Sequence, residues 1–177
     1  MSNKLFYSLE GKKVRFKQMT IEDSEAIHSF ASDSEVSRFI GWPLTHNLEE
    51  TTAYVEEMIK RDSVGSHIYA NVIDKSTNKV VGTAMIFNFN HTAKHAEIGY
   101  VFHQNVWGKG FSTETTKLVC DFAFNILGLH KLHAQVAAPN IGSCRVLEKN
   151  GFELEGRLRD YHYIENQYYD SFLYGKL

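Results

Sequence analysis

The sequence is poor in proline and cysteine, and it lacks both a long apolar run and a strong excess of one charge. Its 177 residues include two prolines and two cysteines, Cys120 and Cys144. Two cysteines cannot build the disulfide framework of a small secreted domain. No apolar run approaches the ~20 residues that span a bilayer, and the first residues show no signal-peptide pattern. These absences predict a cytoplasmic protein with reduced thiols.

The charge balance argues against a general nucleic-acid or membrane-surface binder. The formal net charge is −2, and no basic run or stripe stands out. The hydrophobic fraction of 43% is ordinary for a globular protein. With no linker, repeat or low-complexity stretch, the length favours a single domain over residues 1–177. We therefore expect no nucleic-acid partner and no membrane partner.

Hydrophobic periodicity predicts a mixed chain in the order β–α–α–β–β–β–α–β–α–β–β. Gly151 ends the last helix as a C-terminal glycine, and GWP at 41–43 marks a turn. Most neighbouring strands are expected to be antiparallel, with 67–74 and 80–89 forming a hairpin. The predicted strands are 13–19, 67–74, 80–89, 96–102, 131–136, 152–164 and 168–175, and the predicted helices are 20–32, 48–60, 110–126 and 141–150.

The stretch WGKGFSTE at 107–114 places two glycines around Lys109 at the start of a predicted helix. The first N–H groups of a helix have no partner within it, and the helix dipole adds positive charge there. Glycines allow close approach of a phosphate or pyrophosphate. The stretch fits neither the P-loop pattern nor the dinucleotide pattern, because Phe111 follows Gly110 and position 113 is Thr. A plain turn is the alternative interpretation.

A second strand-to-helix junction lies in PNIGSCRVLEKNGF at 139–152. Asn140 is a good N-cap residue, and Ser143 lies about one turn further on nearly the same face. Both junctions present polar groups, so they can face one extended ligand that carries phosphates and amides.

These motifs together resemble the GNAT superfamily of acetyl-CoA-dependent N-acetyltransferases. EIGYVF, WGKGFSTE and PNxxSxRVLEKNGF occur in the family's order, and VRFKQMTIED, FIGWP, RLRDY and YYD extend the similarity along nearly the whole chain. The most similar branch is the RimJ/RimL type, which acetylates protein N-termini. The resemblance implies an α/β (α+β) three-layer fold: a mixed, mostly antiparallel sheet that splays between strands 96–102 and 131–136, with helices on both faces.

The resemblance also implies an acetyl-CoA site. The family's phosphate loop, Q/R-x-x-G-x-G/A, aligns on residues 107–112, with Trp107 in place of Gln or Arg and Ser112 in place of Gly or Ala. Asn140 would bind a pantetheine amide, Ser143 would lie near the sulfur, and Lys149 would meet the nucleotide or simply be a solvated lysine. The implied cofactor-binding residues are Tyr100, Val101, Phe102, Trp107, Gly108, Lys109, Gly110, Phe111, Ser112, Thr113, Asn140, Ser143 and Lys149.

The expected reaction is direct attack of a neutral amine on the thioester, assisted by a general base. Glu97 is one candidate base, and a solvent-facing or paired carboxylate is the alternative. His162 is the second candidate, and a histidine packed among its neighbouring tyrosines is the alternative. Ser143 is the candidate proton donor to the leaving thiolate, or it serves only as a cofactor contact. The histidines and cysteines show no metal-ligand spacing, so no metal is expected.

The acceptor amine is left open by the residues. A protein N-terminus is the first hypothesis, a small amine such as an amino sugar, amino-acid derivative or antibiotic is the second, and a non-catalytic CoA sensor is the third. A homodimer is implied only by the resemblance. The aromatic residues expected to line the acceptor site, or else to belong to the core or a dimer contact, are Phe39, Trp42, Tyr161, Tyr163, Tyr168 and Tyr169.

Overall fold

The computed structural model describes residues 2–40 and 44–177, so the predicted GWP turn and Trp42 lie outside the described residues. Short 3-10 turns lie at Ile21–Asp23 and Gln104–Val106. The helices are α1 (Ser2–Phe6), α2 (Ser24–Ala31), α3 (Ser34–Ser37), α4 (Leu48–Ser63), α5 (Phe111–Asn125) and α6 (Ile141–Lys149). The strands are β1 (Val14–Lys17), β2 (Ile68–Asp74), β3 (Lys79–Asn90), β4 (His95–Phe102), β5 (Lys131–Ala137), β6 (Glu153–Ile164) and β7 (Gln167–Lys176).

The seven strands form one sheet in the order β1-β2-β3-β4-β5-β7-β6. Only the β4–β5 pair is parallel among the pairs of the described residues, and the others are antiparallel. The predicted mixed, mostly antiparallel sheet is therefore confirmed. The last two strands lie in the sheet in the reverse of their order in the chain, because β7 inserts between β5 and β6. The turn that joins β6 to β7 contains Glu165 and Asn166, which both have positive φ.

Helices cover both faces of the sheet, as predicted. One apolar cluster includes Phe6 of α1, Phe122 of α5 and Leu147 of α6, all fully buried against the central strands. The second cluster lies on the opposite face and includes Ile27 of α2 and Val55 of α4. The sheet thus forms the middle of three layers.

The helix predicted over 20–32 is present, but its first turn is a 3-10 turn. The backbone N–H of Thr20 donates to Asp23 Oδ2 at 2.9 Å, which is the reciprocal half of a capping box. The sequence patterns did not predict α1 and α3, because helices of five and four residues are too short to show a period. No helix of the described residues is long and apolar enough to cross a membrane.

Glu114, in the first turn of α5, ties the N-terminal strand to the helix. Its carboxylate accepts the backbone N–H groups of Lys12, Lys13 and Val14 at 2.7, 2.8 and 3.0 Å. A Cβ at Gly11 would lie 2.6 Å from the Glu114 carboxyl carbon, so this glycine leaves the room that the carboxylate needs. The beginning of α5 is thereby held at a defined position beside β1.

We expect Glu114→Ala to lower the free energy of unfolding by about 2–3 kcal/mol, because three donors lose a charged acceptor. The measurement is urea denaturation followed by circular dichroism. Glu49→Ala is the matched control, since Glu49 is exposed and also lies in the first turn of a helix, where a carboxylate interacts with the helix dipole. Equal destabilisation by the two variants would contradict the role assigned to Glu114.

Candidate active site

The sheet opens between β4 and β5 in the way the resemblance implied. The two strands pair at His95–Lys131, Ala96–Leu132 and Glu97–His133, and the described pairing stops there. Beyond that point β5 continues to pair with β7 as far as Ala137. The carboxyl-terminal half of β4 therefore has a free edge on its β5 side, where a ligand can bond to its backbone as an added strand does.

The loop before α5 has the backbone geometry of an anion-binding site. Gly108 has φ +71° and Gly110, the residue preceding α5, has φ +84°. No atom lies within 4 Å of a Cβ built on Gly108, so the space above the loop is open. The first N–H groups of α5, at residues 111–113, point out of the helix end and have no partner within the helix. This site therefore fits a phosphate or pyrophosphate.

Side chains of the loop hold it in place. The indole N–H of Trp107 donates to the Phe102 carbonyl at 2.9 Å, which ties the loop to the end of β4. The ammonium of Lys109 donates to the Asn105 carbonyl at 2.6 Å, so it turns back toward the preceding 3-10 turn. Lys13 donates to the Lys109 carbonyl at 2.6 Å and brings a second positive charge to the loop. The sequence analysis did not identify Lys13.

The start of α6 lies on the opposite side of the opening. Asn140 is the N-cap, and its Oδ1 accepts the backbone N–H of Ser143 at 3.2 Å. The hydroxyl of Tyr100, on β4, donates to the Ser143 carbonyl at 3.3 Å and so links the two sides. Burial raises the pKa of the Tyr100 hydroxyl well above its usual range, so the tyrosine stays protonated.

Two cavities meet at this opening. One, of about 350 Å³, lies along Trp107, Gly108, Ser112 and Val146, toward the α5 loop. The other, of about 440 Å³, lies on the α4 side of the sheet. The two cavities share part of their lining, namely Phe39, Ile40, Tyr100, Val101, Asn140 and Ser143. A ligand in the first cavity therefore reaches a ligand in the second through the gap in the sheet.

Both candidate bases line the second cavity. Glu97 belongs to the last paired position of β4, and its side chain is 19% exposed. His162 projects from β6, and its Nε2 is buried without a hydrogen-bond partner among the described residues. Burial lowers the pKa of His162 below its ordinary value, so the imidazole is neutral at pH 7. Either group can accept a proton there.

Other predicted residues lie elsewhere. Lys149 is exposed on α6 and lines neither cavity, while Phe111 packs in the core. The hairpin of β6 and β7 carries the exposed Tyr161, Tyr163 and Tyr168, and these lie outside both cavities together with Tyr169. Phe39 lines both cavities. The second cavity is instead lined by residues that the sequence analysis did not identify: Tyr54, Arg61, His67, Tyr69, Phe87, Asn88 and Gln135.

Fold and site together define an acyltransferase with a cleft between splayed strands. The family model for the acetyltransferase (GNAT) domain matches residues 13–153. The chain belongs to this family and is an N-acetyltransferase, as the resemblance implied.

Related proteins share most of the chain. The uncharacterized N-acetyltransferase YoaA of Bacillus subtilis (strain 168) is 30% identical over 170 residues, which is 96% of each chain. Spermidine N(1)-acetyltransferase of Escherichia coli (strain K12) is 28% identical over 164 residues, 88% of this chain and 81% of that one. RimL, the ribosomal L7/L12 alpha-N-protein acetyltransferase solved in complex with coenzyme A, superimposes with a TM-score of 0.86 at 18% identity, covering 96% and 97% of the two chains.

Proposed function

We propose that this N-acetyltransferase transfers the acetyl group of acetyl-CoA to the α-amine of a protein N-terminus. The observation that supports the proposal is the meeting of the two cavities at the gap between β4 and β5, where Tyr100, Asn140 and Ser143 line both. Acetyl-CoA would occupy the cavity along the α5 loop, and the amine would enter from the cavity that Glu97 and His162 line. The proposed location is the cytoplasm, and a homodimer stays a prediction of the resemblance.

The residues beside the first cavity fit a coenzyme A molecule. The N–H groups at the start of α5 would bind the pyrophosphate, with Lys13 nearby. The free edge of β4 would bond to the amides of the pantetheine arm. Asn140 uses its carbonyl oxygen to cap α6, so its Nδ2 is the group that donates to the arm.

Glu97 would act as the general base and Ser143 as the proton donor. Glu97 takes one proton from the amine, directly or through a water, as the nitrogen attacks the thioester carbonyl carbon. The carbon–sulfur bond then breaks, and the sulfur leaves with the electron pair. Ser143 passes a proton to that sulfur and regains one from solvent, while Glu97 returns its proton to solvent. The products are an N-acetylated amine and the free thiol.

The charges of the acceptor cavity support an α-amine rather than a polyamine. Among the described residues that line this cavity, Glu97 is the single carboxylate, and the guanidinium of Arg61, which also lines it, is paired with Glu57 at 2.9 Å. A spermidine molecule carries several ammonium groups, and a single carboxylate in the cavity balances them poorly. A protein α-amine has a pKa of about 8 and is partly neutral at pH 7, so it needs only one base. The similarity to spermidine N(1)-acetyltransferase makes a polyamine the second candidate.

An acceptor panel tests the proposal. We expect release of free coenzyme A thiol with a short peptide that has a free α-amine, and none with the same peptide blocked at its N-terminus and carrying one lysine. The lysine amine, with a pKa of about 10.4, is almost fully protonated at pH 7.5. Spermidine completes the panel. Turnover of spermidine without turnover of any free-α-amine peptide would overturn the protein N-terminus as acceptor and favour the polyamine.

A further inference from the structure

Strand β3 contains one extra residue directly after the position that pairs with the base candidate Glu97. Phe87 pairs with Glu97 and Asn90 pairs with His95, so residues 88 and 89 face the single residue 96 of β4. Asn88 has φ +52°, in the left-handed region that few residues other than glycine adopt and that asparagine tolerates best. This arrangement is a β-bulge, which turns a side chain away from its regular direction.

The bulge directs the Asn88 amide to Glu97. In a regular strand, Asn88 would point to the face opposite Phe87, since side chains alternate along a strand. Instead, Asn88 Nδ2 donates to Glu97 Oε2 at 2.9 Å, and both side chains line the acceptor cavity. A charge-assisted hydrogen bond of this kind fixes the orientation of a carboxylate.

The second neighbour of Glu97 approaches the same oxygen. His133 Nε2, on β5, lies 3.8 Å from Glu97 Oε2, beyond hydrogen-bond distance. Burial is the main cause that lowers the pKa of His133; His95 and Lys131 lower it as well, while Glu97 and Glu155 raise it. Because His133 lies too far away to bond, Asn88 is the one hydrogen-bond partner of Oε2 among the described residues, which leaves Oε1 to face the amine.

From these contacts we infer that Asn88 is a positioning residue that orients the Glu97 carboxylate toward the acceptor amine. The inference rests on the proposed role of Glu97 as base. Asn88 does not itself act on the substrate in this scheme. The basic side chains that also line the cavity, Arg61, His67 and His162, contact neither Asn88 nor the Glu97 carboxylate in the described hydrogen bonds and ion pairs.

Two substitutions separate the amide from the backbone conformation. Asn88→Gly keeps the left-handed conformation without strain and removes only the amide. We expect it to lower kcat by about tenfold to hundredfold, the range of one hydrogen bond to a charged group, and to change the KM for acetyl-CoA by less than about twofold.

The Asn88→Asp variant places a like charge beside Glu97, so the acid limb of the pH profile of kcat/KM is expected to move to higher pH. Asn78→Gly is the matched control, since Asn78 has φ +58° in a turn outside the cavities.

A double-mutant cycle with Glu97→Gln completes the test. If Asn88 acts through Glu97, then Asn88→Gly costs nothing further in the Glu97→Gln protein. An equal cost in both backgrounds, or full activity of Asn88→Gly beside an inactive Glu97→Gln, would overturn the inference and leave the proposed function standing. A fully active Glu97→Gln protein would instead remove Glu97 as base, and this inference with it.

Discussion

Replacing Glu97 by Gln is expected to lower kcat by about 10²–10⁴-fold, the contribution typical of a positioned general base. Glutamine keeps the shape of the side chain and still accepts the hydrogen bond from Asn88, but it does not take a proton. The affinity for acetyl-CoA is expected to stay unchanged, because Glu97 lines the acceptor cavity and not the cavity along the α5 loop. Steady-state kinetics with a free-α-amine peptide and calorimetric titration with acetyl-CoA measure the two effects.

The loss of kcat in the Glu97→Gln protein is expected to become smaller as the pH rises toward 9. An α-amine with a pKa of about 8 becomes mostly neutral there without help from the enzyme. His162→Gln is the matched control, because His162 lines the same cavity and its lowered pKa makes it a competent base. Loss of activity in His162→Gln, combined with an active Glu97→Gln protein, would assign the base to His162.

Replacing Gly110 by Asp is expected to weaken acetyl-CoA binding by at least about 100-fold, or about 2.7 kcal/mol. The new carboxylate lies at the start of α5, where the structure offers N–H groups to an anion, so it occupies and repels the place of the pyrophosphate. Steric clash does not dominate, because a Cβ at Gly110 has its nearest contact at 3.5 Å, with Lys13 Nζ. Calorimetric titration with acetyl-CoA measures the change.

Gly128→Asp controls for backbone strain. Gly128 has φ +64° and no atom within 4 Å of a built Cβ, so aspartate there carries a comparable conformational cost away from the loop. We expect this variant to bind acetyl-CoA like the unmodified protein. Equal binding by Gly110→Asp and Gly128→Asp would mean that the loop at residues 107–112 is an ordinary turn before a helix.

The α5 loop shows how far a local motif carries a prediction. Two glycines, a short spacer and a following helical period sufficed to predict a glycine loop that opens a helix, and both glycines do adopt positive φ. The orientation of Lys109 was not predictable, because it depends on the Asn105 carbonyl of the preceding turn. The contribution of Lys13 was equally hidden, since it comes from the strand region about 100 residues earlier in the chain.

The acceptor cavity was the part that the sequence described least well. Tyr161, Tyr163 and Tyr168 lie within eight residues of one another in the sequence and suggest an aromatic site, yet they are exposed on the hairpin of β6 and β7. Tyr69 and Phe87 appear in the sequence as ordinary strand residues, and they line the cavity only because β2 and β3 pair across the sheet. Asn88 carries no signal in the sequence, since its direction depends on the bulge.

The sequence by itself determined the longer helices, the strands and the glycine conformations of the α5 loop, because helix and strand periods and glycine conformations act over a few neighbouring residues. Only the tertiary structure decided which strands meet. The parting of β4 and β5 after Glu97–His133, the insertion of β7 beside β5, and the turn of Asn88 toward Glu97 all depend on pairing between distant segments. Such pairing follows from the packing of both faces of the sheet at once, which no local pattern encodes.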